Sequence, residues 1–252
     1  MLDFPTFRDR FDAIVVELSP SWKAVGFLAP DDKLYPLGTD SKVLSTIFEA
    51  MSAPIIQQIA DEFRYTVEGA PQTIYPDFTL TPAYGAAQRI AIDIKTTYRS
   101  YSKNGRLQPF RYTLGSYTSF LRSPTATKNI KYPYADYAEH WVVGFLYTRA
   151  KGVPAKVYHR SEAAKALCPY QDVEYFVQEK HKIAGLAPGS GNTANIGSFP
   201  TNDIRDLREG RGPFAQYGKE ICNEYWRNYG RTASEREYNS IEEFLNWKKK
   251  QG

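Results

Sequence analysis

Cysteine is scarce in this chain. Cys168 and Cys222 are too few and too far apart for a disulfide framework or a cysteine metal cluster, which points to a reducing compartment. Long apolar runs are missing as well. The longest, "WVVGFLY" at 141–147, is too short to span a bilayer, and the N-terminal "MLDFPTFRDRFDAIVV" interrupts its apolar residues with charges. Neither export nor membrane insertion is expected, and the predicted setting is cytoplasmic. Charge of one sign is also lacking: a net +4 is too small to announce a polyanion partner, so any nucleic-acid surface has to be a local patch. No internal repeat is visible. What the sequence does have is length, 252 residues, enough for one large domain or a domain with a small appendage, and an abundance of aromatics, 19 Tyr and 14 Phe. Tyrosine packs apolar surface while keeping a polar tip for water, phosphate or sugar.

Hydrophobic periodicity then orders the chain. "TDSKVLSTIFEAMSAPIIQQIADEF", residues 39–63, has helical spacing, with Asp40 as N-cap, Glu49 within the helix, and Pro54 at a point where a kink or break is expected. Strand-like segments follow at 74–80, 90–98 and near 110–114, and "DYAEHWVVGFLYTR" starts with helix formers and ends as a core strand. "GLAPGSGNTANIGSFPTN" reads as a long surface loop. "FAQYGKEICNEYWRNYGRT" and "SIEEFLNWKKK" read as two helices, the second opened by Ser240 with Glu243 at the capping-box position and closed by Lys248, Lys249 and Lys250 as a solvated tail. The order predicts an α/β fold with a mixed central β-sheet flanked by helices.

One strand carries unexpected charge. In "IAIDIKTTY", residues 90–98, Ile90, Ile92 and Ile94 share one face while Ala91, Asp93, Lys95 and Thr97 share the other. "YPDFTL" places Asp77 in a preceding strand, and "TPAYGAAQR" supplies turn residues between the two. In a hairpin symmetric about Gly85, residues whose numbers sum to 170 lie opposite, which sets Asp77 across from Asp93. Cross-strand carboxylates with Cβ atoms roughly 4.5 to 5.5 Å apart repel unless a proton or cation lies between them. Mg²⁺ suits such a pair, since it binds through one or two carboxylates and leaves other positions to water and phosphate oxygens. Lys95 beside the ion would fit phosphodiester hydrolysis, and Glu49 could add a third carboxylate if its helix packs on the sheet. On spacing alone, two strand acids and a surface lysine remain the better explanation of the pattern. Gly189, Gly191 and Ala194 also fit a loose dinucleotide-binding fingerprint, but "NIGSFPTND" after them is no helix, and the fingerprint requires one.

Longer segments add a resemblance. "YPLGTDSKVLSTIFE", "YPDFTL", "IAIDIKTTY", "TLGSYTSFLR", "TKNIKYP", "IAGLAPGSGNTANIGS" and "YWRNYGRT", collinear between residues 35 and 232, resemble segments of the EcoRV-like type II restriction endonucleases in the PD-(D/E)xK nuclease superfamily. That resemblance implies Mg²⁺-dependent cleavage of duplex DNA at the palindrome GATATC, between the central T and A, leaving blunt ends with 5′-phosphates. It puts Asp77, Asp93 and Lys95 on the family's metal ligands and lysine, and Glu49 on its accessory helix carboxylate. It assigns base reading to Gly189, Gly191 and Asn192, with Thr193 and Asn195 in support, and a minor-groove loop to Gln72 and Thr73. Asn amides pair bidentately with adenine, and glycines admit close backbone approach. Phosphate contacts are implied for Ser41, Thr96, Thr97, Ser119, Lys128, Thr232 and Arg236.

A homodimer and a partner DNA methyltransferase are further implications, since a palindrome calls for a two-fold protein. The implied division is a nuclease part at about 37–149 and 166–252, with a small dimerisation subdomain from about 20–36 and 150–165. Thr73, Ala233, Ser41, Ser116 and "RSPTATK" depart from the family pattern. The alternatives are a sequence-specific DNA-binding protein that does not cleave and a repair or recombination nuclease of the same superfamily.

Overall fold

The structure, a computed structural model, describes residues 2–84, 88–189 and 194–251. In chain order its elements are α1 (Phe4–Leu18), β1 (Gly26–Leu28), β2 (Lys33–Pro36), α2 (Ser41–Phe63), β3 (Tyr65–Gly69), β4 (Phe78–Pro82), β5 (Arg89–Tyr98), β6 (Thr113–Ser116), β7 (Tyr137–Arg149), β8 (Tyr158–His159), β9 (Tyr170–Glu179), α3 (Lys180–Ile183), β10 (Ala184–Pro188), β11 (Asn195–Ser198), α4 (Ile204–Arg208), α5 (Gly218–Asn228) and α6 (Ile241–Gln251). Five strands form the central sheet in the order β3-β4-β5-β7-β9. Only β5 and β7 run parallel; every other neighbouring pair is antiparallel, so the sheet is mixed as the sequence predicts.

The sheet divides two apolar cores. On one side Ile90, Ile92 and Ile94 join Trp141, Val143 and Phe145 of β7 and the apolar faces of α1 and α2. On the other, Ala91, Val142, Leu146 and Phe176 join the aromatic cluster of α5 and α6. The face assignment made from alternation along "IAIDIKTTY" therefore holds. α2 starts as expected: Asp40 accepts from the backbone N–H of Lys42 at 2.9 Å and of Val43 at 3.3 Å. Pro54 does not divide the helix. Ala50, whose carbonyl Pro54 cannot serve, is exposed, so water can take the place of the missing donor. Among the described residues α2 is the one helix long and apolar enough to cross a membrane by length and composition, and its apolar side, with Leu44, Phe48, Ile55, Ile56 and Ile59, is packed into the core.

Several sequence expectations change. Asp77 stands just before β4, which begins at Phe78, instead of within a strand from 74. The third strand is Thr113–Ser116, with Phe110 making only an isolated bridge to Thr201. "DYAEHW" forms no helix beyond the short turn Tyr134–Asp136, because ten residues of β7 pair with β5 and tertiary pairing overrides local propensity. Within the predicted loop at 185–202, residues 185–188 and 195–198 belong to an antiparallel pair, β10 with β11, in a three-stranded sheet with β6. Its glycines serve close contact: a Cβ on Gly185 would lie 2.8 Å from the Phe199 nitrogen, and one on Gly197 would lie 2.7 Å from the Ala187 oxygen. In α6 the Glu243 carboxylate reaches back to the Asn239 N–H at 2.6 Å instead of that of Ser240, and Lys248 to Lys250 form its last turn, with Lys248 paired to Glu224.

The segments predicted for dimerisation do meet. β1, β2 and β8 form a separate three-stranded sheet, followed by a 3₁₀ turn at Arg160–Lys165. Phe27 and Leu28 on it are 56% and 53% exposed.

Candidate active site

The β4–β5 register sets the geometry. Phe78 lies opposite Ile92, Thr79 opposite Ala91 and Leu80 opposite Ile90, the pairing expected from the sequence, although Gly85, Ala86 and Ala87 at the turn lie outside the described residues. Continued by one residue, that register faces Asp77 with Asp93. The backbone closes the arrangement: the Ile94 N–H donates to Asp77 Oδ2 at 2.6 Å. Lys95, two residues after Asp93 on the same face, brings Nζ to 2.7 Å from Asp93 Oδ2. That contact is an ion pair.

Burial governs the charges. Desolvation, then the facing Asp93, raises the Asp77 carboxyl to about 8, against the opposing pull of Lys95 and the Ile94 N–H. Glu49, half-buried on α2, is also raised, first by desolvation and then by Asp93. Desolvation works against the Lys95 ammonium, yet Asp93, Asp77 and Glu49 together outweigh it and hold lysine above its ordinary range. A negative field concentrated on one lysine is a site built to receive more positive charge.

Asp77, Asp93 and Lys95 line a cleft of about 360 Å³ in which Thr73, Ser119 and Asn195 also appear. Sequence reasoning missed Tyr75, Gly115 and Asn129 on the same walls and took Ser116 there only as a departure from the family pattern. Ser116 and Asn129 sat inside quoted motifs, "TLGSYTSFLR" and "TKNIKYP", so position within those motifs was the available signal. Ser116 orders the wall, since its Oγ accepts the Ser119 N–H at 3.0 Å and donates to the Ala194 carbonyl at 3.3 Å.

The remaining predicted residues scatter around this cleft. Gln72 and Thr73 are exposed just before Asp77, Thr73 at φ +75°. Thr97 shares the Asp93 face of β5 and Thr96 the opposite one. Ser41 is exposed at the start of α2, and Lys128 is exposed beside Asn129. Thr232 caps a short turn through Glu235, while Arg236 lies over the Tyr229 ring at 5.0 Å. Gly189 is buried with its N–H given to the Asn195 carbonyl at 2.9 Å, and a Cβ there would meet Thr113 Oγ1 at 2.9 Å. It closes the β10–β11 pair, and its N–H is not free for a base. Gly191, Asn192 and Thr193 lie outside the described residues.

With this geometry in view, the comparisons decide the family. The family described as "Restriction endonuclease EcoRV" matches residues 19–249. The Type II restriction enzyme EcoRV of Escherichia coli is 45% identical over 244 residues, 95% of this chain and 96% of that protein. The chain belongs to the EcoRV family of restriction endonucleases. Among solved structures, the NlaIV restriction endonuclease aligns with a TM-score of 0.44 at 12% identity, over 99% of this chain and 89% of its own, a likeness too distant to define the fold.

Membership of the EcoRV family implies use of a divalent metal, and the residues present fit one. Half-buried Asp77 and buried Asp93, opposed across the β4–β5 register, are hard oxygen donors of the kind Mg²⁺ takes. Among the described residues no group of three or more His, Cys, Asp or Glu is arranged to hold a metal, so the structure does not gather Glu49 into one ligand set with Asp77 and Asp93. The Glu49 charge raises the Asp77 carboxyl, as a smaller cause beside desolvation and Asp93.

Proposed function

We propose that this protein hydrolyses duplex DNA in the presence of Mg²⁺ at the palindrome GATATC, between the central T and A, leaving blunt ends with 5′-phosphates. The observation that carries the reading is the opposition of Asp77 and Asp93 across the β4–β5 register, with Lys95 beside them in an open cleft. Asp77 and Asp93 supply the oxygen donors for the ion, which when bound polarises a phosphoryl oxygen and lowers the pKa of a water. Lys95, kept fully charged by its carboxylate neighbours, orients the attacking water and stabilises the negative charge that grows on the phosphate oxygens. Glu49 keeps the local field negative enough to favour the ion.

The target sequence rests on the family likeness together with base-edge chemistry. Gly189, Gly191 and Asn192 read base edges in the major groove, Gly189 through its carbonyl because its N–H is given to Asn195, with Thr193 and Asn195 in support, and the Gln72–Thr73 loop follows the minor groove. The central TA step unstacks easily, so bending the duplex there selects it through deformation energy. Ser41, Thr96, Thr97, Ser119, Lys128, Thr232 and Arg236 hold the phosphates. Two copies act together, joined through the 20–36 and 150–165 segments, whose small sheet carries the exposed Phe27 and Leu28. The enzyme works in the cytoplasm, where a cognate methyltransferase protects host DNA.

Incubation of plasmid DNA with the protein, with and without Mg²⁺, followed by sequencing of the ends, tests this reading. Blunt termini at GAT/ATC only when Mg²⁺ is present are expected. Ends without a common sequence would indicate a repair or recombination nuclease, and intact DNA held at one site would indicate a binder that does not cleave; either overturns the proposal.

A further inference from the structure

A second lysine lies behind the cleft, and it has no counter-ion in contact. Lys180 opens the single turn α3 between β9 and β10, is 7% exposed, and its Nζ has no hydrogen-bond partner among the described residues. Two aromatic faces hold the ammonium: Tyr75 at 5.3 Å and Tyr134 at 5.4 Å. Tyr75 is itself a wall of the cleft, and its hydroxyl is fixed by His140 Nδ1 at 2.7 Å. Gly115, another wall, stands directly in front, since a Cβ there would lie 3.7 Å from Lys180 Nζ. The nuclease carboxylates reach the same ammonium through space. Burial pulls Lys180 down to about 8, and Asp93 is the strongest influence holding its proton in place. A buried ammonium with no counter-ion in contact is unfavourable in itself, so its place behind the cleft calls for a compensating role.

We propose that Lys180 is a positioning residue of the nuclease site, a buried charge that offsets the mutual repulsion of Asp77, Asp93 and Glu49 and draws a DNA phosphate into a cleft that is otherwise negative. It touches neither metal nor substrate. Its charge acts on Asp93 and on the arriving phosphate across the layer formed by Tyr75 and Gly115. The charge balance supports this: Asp93 and Glu49 lie beside Lys95, Asp77 adds a further negative charge once its proton leaves, and a phosphodiester brings another. Such a cation weakens metal binding slightly and strengthens phosphate binding, a signature that a packing role does not share.

The inference rests on the assignment of Asp77 and Asp93 to the metal, and the test separates the two. Mg²⁺ binding to DNA-free protein is measured by calorimetry at pH 7.5 for the parent, Asp93→Ala, Lys180→Met and Lys180→Arg. Metal-free affinity for GATATC duplex is measured by fluorescence anisotropy, and melting curves are recorded for each protein. Lys180→Met is expected to melt no lower than the parent and to bind Mg²⁺ at least about threefold more tightly, because the removed charge acts twice as strongly on a divalent ion as on a competing proton. It is expected to bind duplex at least about threefold more weakly. Lys180→Arg keeps the charge and is expected to match the parent. Equal or weaker Mg²⁺ binding by folded Lys180→Met overturns the inference alone, as does a loss shared by Lys180→Arg. Should Lys180→Met not fold, Lys180→Gln takes its place under the same criteria. A parent that binds no Mg²⁺, or an Asp93→Ala variant that binds it equally, overturns the metal assignment and this inference with it.

Discussion

Strand β5 has two faces that do opposite work. On one, Ile90, Ile92 and Ile94 sink into a dry core in which Phe48 of α2 stacks on Phe145 of β7 at 4.6 Å between ring centroids. On the other, one residue away along the same backbone, Asp93 and Lys95 stand in a cleft opposite Asp77, with Lys180 and His140 behind its wall. Opposed carboxylates in a half-buried cleft cost stability, and the apolar face supplies what holds them in place. The lesson is a division of labour within ten residues: one face fixes the backbone so that the other can keep charges where they repel.

The division breaks most sharply at the chemistry. Asp93→Ala or Lys95→Ala should lower single-turnover cleavage by at least about 10³-fold while leaving a folded protein by circular dichroism. Persistent cutting would take these residues out of the mechanism. The other face should respond in the opposite manner. Ile92→Ala, at a fully buried position, should cost about 2 to 5 kcal/mol in urea denaturation, yet the folded fraction at low temperature should cleave within a few-fold of the parent. If cleavage collapsed as it does for Asp93→Ala while the protein stayed folded, the faces would not be separable.

Gly144 sharpens the comparison from the cleft side. It pairs with Lys95 on one neighbour and Phe176 on the other, and a Cβ there would lie 2.1 Å from the Phe176 ring. Gly144→Ala should therefore destabilise by about 1 to 3 kcal/mol, and Phe176→Leu in the same chain should recover part of the loss. Additive losses in the double variant would rule out that contact as the cause.

A further test concerns protons. Asp77 releases its proton near 8 in the folded metal-free protein and near 3.8, its ordinary value, when unfolded. The folded state then binds the extra proton between those values, so this contribution is complete below about pH 4 and is lost as pH rises through 8, with a slope of at most about 1.4 kcal/mol per pH unit. Melting in EDTA between pH 5 and 8 should show that decline, and Asp77→Asn should flatten it. An unchanged slope in the variant would assign the effect to other groups.

Much of this was legible in advance because its determinants are local. Asp40 caps α2 as read, since an N-cap needs only a carboxylate two or three residues from free N–H groups. The β4–β5 register was legible too, because alternation and a short turn leave few pairings. Where distant chain segments decide, local reading failed. The glycines of "GLAPGSGNTANIGSFP" looked like turn residues, but Gly185 and Gly197 are small because another strand's backbone presses on them. The start of "DYAEHWVVGFLYTR" looked helical, and β5 drew most of it into the sheet.

By itself the sequence determined the alternating face of β5, the opposition of Asp77 to Asp93, and through its long collinear motifs the family. All of these are set by spacing along the chain. Only the tertiary structure decided how those groups are charged, because a pKa depends on what is packed around it. It raised Asp77 to about 8, kept Glu49 beside the carboxylate pair without joining it, and placed Lys180, 85 residues beyond Lys95 in the chain, behind the same cleft. Desolvation and long-range charge arise from atoms that sequence spacing does not bring together, and folding does.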